Sequence, residues 1–85
     1  MTESKVGTII GYYTNISVAA MKMEAPLKVG DTIHIKGATT DITQKVDSMQ
    51  IEHDAVKEAK KGASVGIKIK DRARPNDVVY KVTKP

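Results

Sequence analysis

His34 and His53 are the two imidazoles of this 85-residue chain, and a metal site would need both to converge with a carboxylate such as Asp41 or Glu52. His34 falls on the outward parity of an alternating run and His53 at the end of another, so the simpler expectation is two solvated rings. Ser17, Ser48 and Ser64 have no His and Asp partners recognisable in the sequence, although a catalytic triad is defined by space rather than spacing. The chain has no cysteine, which removes thiolate nucleophiles, disulfides and Cys-based zinc sites. The turn at residues 71–77 alternates charge without the ligand spacing of a calcium loop. Catalysis needs convergent groups with tuned pKa values, and the expectation is a chain with no enzyme activity, no metal and no cofactor.

Binding chemistry is better represented. Fourteen Lys and Arg against ten Asp and Glu give a net charge of +4 and a pI near 9.4, which attracts polyanions, nucleic acid first. The same surplus also keeps a small domain soluble and blunts sheet edges. The candidate nucleic-acid contacts are Lys36, Lys45, Lys68, Lys70 and Lys81, read as outward-facing on strands, with Arg72 and Arg74 in a turn. Adjacent Tyr12 and Tyr13 point to opposite faces, so one of them is expected outside, where it could stack on a base or a partner protein, or cover the barrel end.

The strands that position these side chains are read from period-two alternation. The stretch LKVGDTIHIKG at residues 27–37 sets the pattern: Gly30-Asp31 favours a tight turn, because Gly accepts positive φ and Asp can bond back to the backbone. Thr32-Ile33-His34-Ile35-Lys36 then alternates polar with apolar, placing Ile33 and Ile35 in a core. Residues 6–13 read as a first strand with glycines that permit a bend, and 16–24 as a second, ended by Ala25-Pro26. Residues 42–53 read as one long strand with a defect: Ile42, Gln44 and Val46 share one parity, Met49 and Ile51 the other. One extra residue near Asp47-Ser48 would reconcile them, which predicts a β-bulge and a sharply curved sheet. Residues 54–62 fit a short helical turn capped by Asp54 and Gly62, or equally a loop with a turn. Val65, Ile67 and Ile69 mark a fifth strand, and Val78, Tyr80 and Val82 are read as the inner face of a sixth.

Eighty-five residues make one domain, large enough to bury roughly 60–65% of its unfolded surface and too small for a deep enclosed cavity. The core must be aliphatic, since Phe and Trp are absent. The expected fold is therefore all-β, a small six-stranded antiparallel barrel, closed or nearly closed. It spans residues 6–82, with a flexible tail at 1–5 and a short tail at 83–85. The polar start and the lack of a long apolar run predict a soluble cytoplasmic chain without membrane contact.

The run LKVGDTIHI, followed by EAKKGASVGIKI and then PNDVVYKV, resembles the second, barrel domain of translational GTPases such as elongation factor Tu. Residues 28–31 match the family's KxGD turn, and residues 61–66, KGASVG, match its AGxxVG turn except that Lys61 replaces the leading Ala. The longer pattern through TTDITQKVDSMQIEH is similar to the C-terminal barrel of collagenase-like peptidases and their RNA-modifying relatives, and to small archaeal elongation-factor-like proteins. No GxxxxGK[ST] phosphate loop occurs, so the chain cannot hydrolyse GTP. Glu52 falls where the elongation factors carry an aromatic residue lining the pocket for the aminoacylated end of tRNA, and a carboxylate would repel phosphate there. The resemblance implies a non-catalytic translation-factor-like barrel that binds RNA, tRNA or rRNA, or a ribonucleoprotein through its basic face. The alternative is a protein-interaction barrel that docks on a separate catalytic subunit, a GTPase or a peptidase-like or RNA-modifying protein.

Overall fold

The computed structural model describes residues 2–51 and 54–83; Glu52 and His53, singled out above, lie outside them. Among the described residues ten strands follow one another: β1 (Thr2–Tyr13), β2 (Val18–Met23), β3 (Leu27–Lys28), β4 (Thr32–Lys36), β5 (Asp41–Lys45), β6 (Met49–Ile51), β7 (Asp54–Val56), β8 (Glu58–Ala59), β9 (Ser64–Lys68) and β10 (Val78–Thr83). No helix occurs among the described residues. One antiparallel sheet runs in the order β5-β4-β10-β1-β2-β9-β6-β7, and β3 pairs with β8. β1 begins at Thr2 rather than Val6, because its ladder with β10 runs from Thr2, opposite Thr83.

The expected bulge at Asp47-Ser48 is replaced by a change of partner. β5 pairs with β4, whereas β6, three residues further on, pairs with β9 at the other side of the sheet. The chain therefore rolls the sheet towards closure by leaving one edge and joining another. Val46 and Met49 are both buried, so the parity change is real even though no ladder continues through it. The gap between β5 and β9 is bridged by a side chain: Gln44 Nε2 donates to the Lys68 carbonyl at 3.0 Å, and the Lys70 N–H donates to Gln44 Oε1 at 2.8 Å. The register shifts that do occur lie in β1, between Lys5 and Gly7 and between Ile9 and Gly11. Each extra residue in a ladder bends its strand, and β1 is the strand that must curve against both β10 and β2. Gly7 is needed there because a Cβ would sit 2.5 Å from the Lys22 carbonyl oxygen.

Three turns use the chemistry read from the sequence. In residues 28–31, Gly30 has φ 98°, and Asp31 Oδ2 accepts from the Lys28 N–H at 2.9 Å. Gly62 has φ 90° in the second motif, and its N–H donates to the Met23 carbonyl at 2.9 Å. Asn76 has φ 77° after Pro75, the pattern of a type II turn, and Asp77 Oδ2 accepts from the Arg74 N–H at 2.9 Å. Residues 54–62 form β7, β8 and a turn; Ala59 is fully buried opposite Leu27, and that burial, unavailable to an isolated helical turn, decides the conformation.

The core is aliphatic and continuous, built from Ile9, Met21, Met23, Leu27, Ile33, Ile35, Met49 and Ile67 with smaller residues between them. β10 corrects the sequence reading. Val79 is fully buried, whereas Val78, Tyr80 and Val82 are only partly covered. A six-residue strand that is apolar on both faces carries no internal signal of which face is inward; the ladder with β4, pairing Val79 to Ile35, settles it.

Candidate docking face and basic seam

Three regions of different chemistry stand out on the outer surface of the described residues. The first is an apolar groove over the outer face of β1, β2, β9 and β6. Ile10, Tyr13 and Ile16 stand at its rim, 55%, 58% and 58% exposed. Its remaining lining, Val18, Ala20, Gln50, Ser64, Val65 and Gly66, contains no charged side chain. The adjacent tyrosines separate as expected: Tyr13 is exposed, while Tyr12 packs against the core. Ile10 lies in the second register shift of β1, which turns it outward. The floor is legible in residues 16–24, which are apolar on both faces as a strand at an interface is; the rim at Ile10 is not, because the register shift in β1 breaks the alternation by which an exposed apolar residue would be recognised.

The second region is the seam between β5 and β9. Gln44 binds the backbone at Lys45, Lys68 and Lys70, so the three exposed lysines are brought to one strip, with exposed Arg72 following. The other cations are elsewhere. Lys36 ends β4 beside the turn that carries Arg74, where Gly37 abuts the Asp77 side chain. Lys81 shares the parity of Val79, is half-buried and pairs with Asp31 at 3.5 Å. The expectation that Lys81 faces solvent on the same wall as the rest is corrected by that parity.

The third region surrounds His34. Its Nδ1 lies 2.8 Å from Glu3 Oε2 and its Nε2 2.5 Å from Asp41 Oδ1. The ring is 16% exposed and lies beside Tyr80, with centroids 6.5 Å apart. The expectation of a solvated imidazole does not hold for it: hydrogen bonding to Glu3 first, and then to Asp41, raises its pKa above the ordinary histidine value. The two carboxylates engage opposite ring nitrogens, an arrangement for two N–H donors. Among the described residues no cluster of three or more His, Cys, Asp or Glu has metal-site geometry, and His34 meets no serine.

No protein-family model matches the sequence. Over 77 residues the chain is 43% identical to an uncharacterised protease of Methanocaldococcus jannaschii, an alignment covering 89% of this chain and 19% of that protein. It is 38% identical over 84 residues to a collagenase of Porphyromonas gingivalis, covering 96% of this chain and 23% of the collagenase. The chain thus spans about a fifth of the length of these curated relatives. In three dimensions it matches the C-terminal domain of a U32 peptidase of Geobacillus thermoleovorans with a TM-score of 0.86 at 20% identity, over 92% of this chain and 91% of that one. The selenomethionine variant of the same domain gives 0.85 at 19% identity, over 89% and 96%. The molecule is a small all-β barrel homologous to a segment of collagenase-type proteases. Its fold is that of the C-terminal domain of a U32 peptidase.

Proposed function

We propose that this barrel is a non-catalytic docking module that seats against a peptidase-like catalytic portion, covalently joined in the long relatives and otherwise supplied as a separate subunit. The observation that carries this reading is the groove: three of the four exposed large hydrophobic residues among the described residues gather on one face, in a protein whose remaining exterior is largely charged. Apolar side chains collected in this way mark interaction surfaces. The homology supports the same reading, because nearly all of this chain aligns with a minor part of each protease.

The test is to express the Methanocaldococcus jannaschii protease without its homologous segment and to titrate it with this barrel by calorimetry. A complex that is abolished by Ile10→Ser together with Tyr13→Ala is the expected outcome. No heat of binding at tens of micromolar would overturn the reading.

The basic seam favours a second reading, that the barrel holds RNA, tRNA or rRNA, or a ribonucleoprotein in the manner of a translation factor. Lys45, Lys68, Lys70 and Arg72 would track a phosphate backbone, with exposed Tyr13 as a stacking surface. Three or four phosphate contacts predict a slope of roughly −2 to −3 for log K against log salt. Titration of tRNA across a salt series, with a Lys68/Lys70/Arg72 triple alanine variant, decides it: no binding at low salt, or an unchanged slope, retires the seam.

A further inference from the structure

Two lysines bracket the groove along its length. On the outer faces of β2 and β9, Val18 is opposite Lys68, Ala20 opposite Gly66 and Lys22 opposite Ser64. The groove therefore runs from a cation at one end to a cation at the other, over a floor of Val18, Ala20, Gly66 and Ser64. Four residues of strand at about 3.3 Å each separate Lys22 from Lys68 by about 13 Å along the strands, and about 14 Å once the step between strands is added. Neither lysine forms an ion pair among the described residues. Among the described residues Glu24 engages Lys5 Nζ at 3.2 Å and Thr8 Oγ1 at 3.1 Å, and Lys22 attracts it only through space, more weakly than those hydrogen bonds. Further cations extend both ends: the turn carrying Lys60 and Lys61 is bonded to Met23, one residue past Lys22, and Lys70 follows Lys68.

From this we infer that the groove receives an extended apolar segment of the peptidase-like portion, flanked on both sides by carboxylates about four residues apart that pair with Lys22 and Lys68. The inference rests on the docking reading and names the partner's chemistry. In an extended segment, residues i, i+2 and i+4 share a face, so carboxylates at i and i+4 leave the apolar residue at i+2 over the Ala20–Gly66 pair, in the groove that Ile10 and Tyr13 also line. Gly66 adds no side chain of its own there, and Val18 Cγ1 leans across it, 3.0 Å from where a Cβ would stand, so the floor beneath that residue is apolar. A second copy of this chain is the poorer occupant, because a two-fold contact through the groove sets the same patch against itself and opposes lysines to lysines.

Two measurements test this. In the calorimetric assay with the truncated protease, Lys22→Glu combined with Lys68→Glu is expected to weaken binding at least tenfold and to flatten its salt dependence. Unchanged affinity in that variant, with docking still lost in Ile10→Ser/Tyr13→Ala, overturns the bracketing while leaving the docking reading intact. Independently of any protease, the peptide Glu-Thr-Phe-Thr-Glu is titrated against the labelled barrel by NMR, beside Lys-Thr-Phe-Thr-Lys. The acidic peptide is expected to shift the Ala20, Ser64 and Gly66 amides at low millimolar concentration, and the basic one to leave them in place. Equal responses, no response to either, or concentration-dependent dimerisation through the groove would overturn the inference, even where the truncated protease fails to dock.

Discussion

His34 Nδ1 and Glu3 Oε2 lie 2.8 Å apart although β10 runs between their strands. With Asp41 on the other nitrogen, one ring ties β5, β4 and β1 together on the outside of the barrel. The clasp needs an imidazolium to donate from both nitrogens. Its folded pKa is raised, so its stabilisation is fully present below the unfolded histidine pKa, about 6.5, and disappears as pH rises through the higher folded value. Since Asp41 and Glu3 are themselves exposed, the contribution is about 1 kcal/mol. Urea titrations at pH 5.5 and pH 9 should therefore differ for the wild type and converge for His34→Gln. An equal loss in the variant at both pH values would show that the ring acts by packing alone.

Parity along β9 and β10 is tested by paired substitutions. Ile67→Ala should destabilise by about 2–5 kcal/mol and Lys68→Ala by almost nothing, since Ile67 is 1% exposed and Lys68 faces solvent. Val79→Ala should cost more than Val78→Ala in the same denaturant titration. The reverse order would restore the inner face first read from the sequence.

Gln44 is the most informative residue of the seam. Gln44→Leu keeps the volume but leaves the Lys70 N–H and the Lys68 carbonyl without their bridge, a loss of about 1–3 kcal/mol. Hydrogen exchange at the Lys70 amide should accelerate selectively. Unchanged protection there would mean that the edges are held by other contacts.

The connector between β5 and β6 spans the change of partner, with Val46 buried before it and Met49 after it. Its anchor is mutual: the Val46 N–H donates to the Asp31 carbonyl at 2.8 Å, and the Gly30 N–H to the Val46 carbonyl at 2.9 Å. Deleting Ser48 should force one of the two side chains out of the core and abolish cooperative unfolding. A deletion variant with a native-like NMR spectrum would contradict the placement of Val46 and Met49 on the same interior.

The fold was legible where residues constrain themselves locally. Gly30-Asp31, Gly62 and Pro75-Asn76 fix their turns by backbone chemistry, and Ile33/Ile35 and Val65/Ile67 fix their faces by strict alternation. Legibility failed where a distant strand decides. Val79 and Val78 are interchangeable until β4 supplies Ile35 as a neighbour, and a parity change at 46–49 looks the same for a bulge as for a switch of partner. The candidate sites suffered more. Glu3 and Asp41 lie 31 and 7 residues from His34, and no spacing rule connects them. Ile10 reads as one more apolar residue in a β-rich run until a register shift turns it outward.

The pairing of β1 with β10 joins the first strand of the barrel to its last, from Thr2 opposite Thr83 to Thr8 opposite Val78. During synthesis, every earlier strand leaves the ribosome before that ladder has its second member. β4 also waits on β10 for one of its two neighbours. Until residues 78–83 emerge, β1 and β4 each present an unpaired edge bordering an aliphatic interior, so vulnerability to aggregation and to proteolysis is concentrated in the interval before β10 becomes available. Completion of the sheet waits on β10, the strand that stands between β1 and β4.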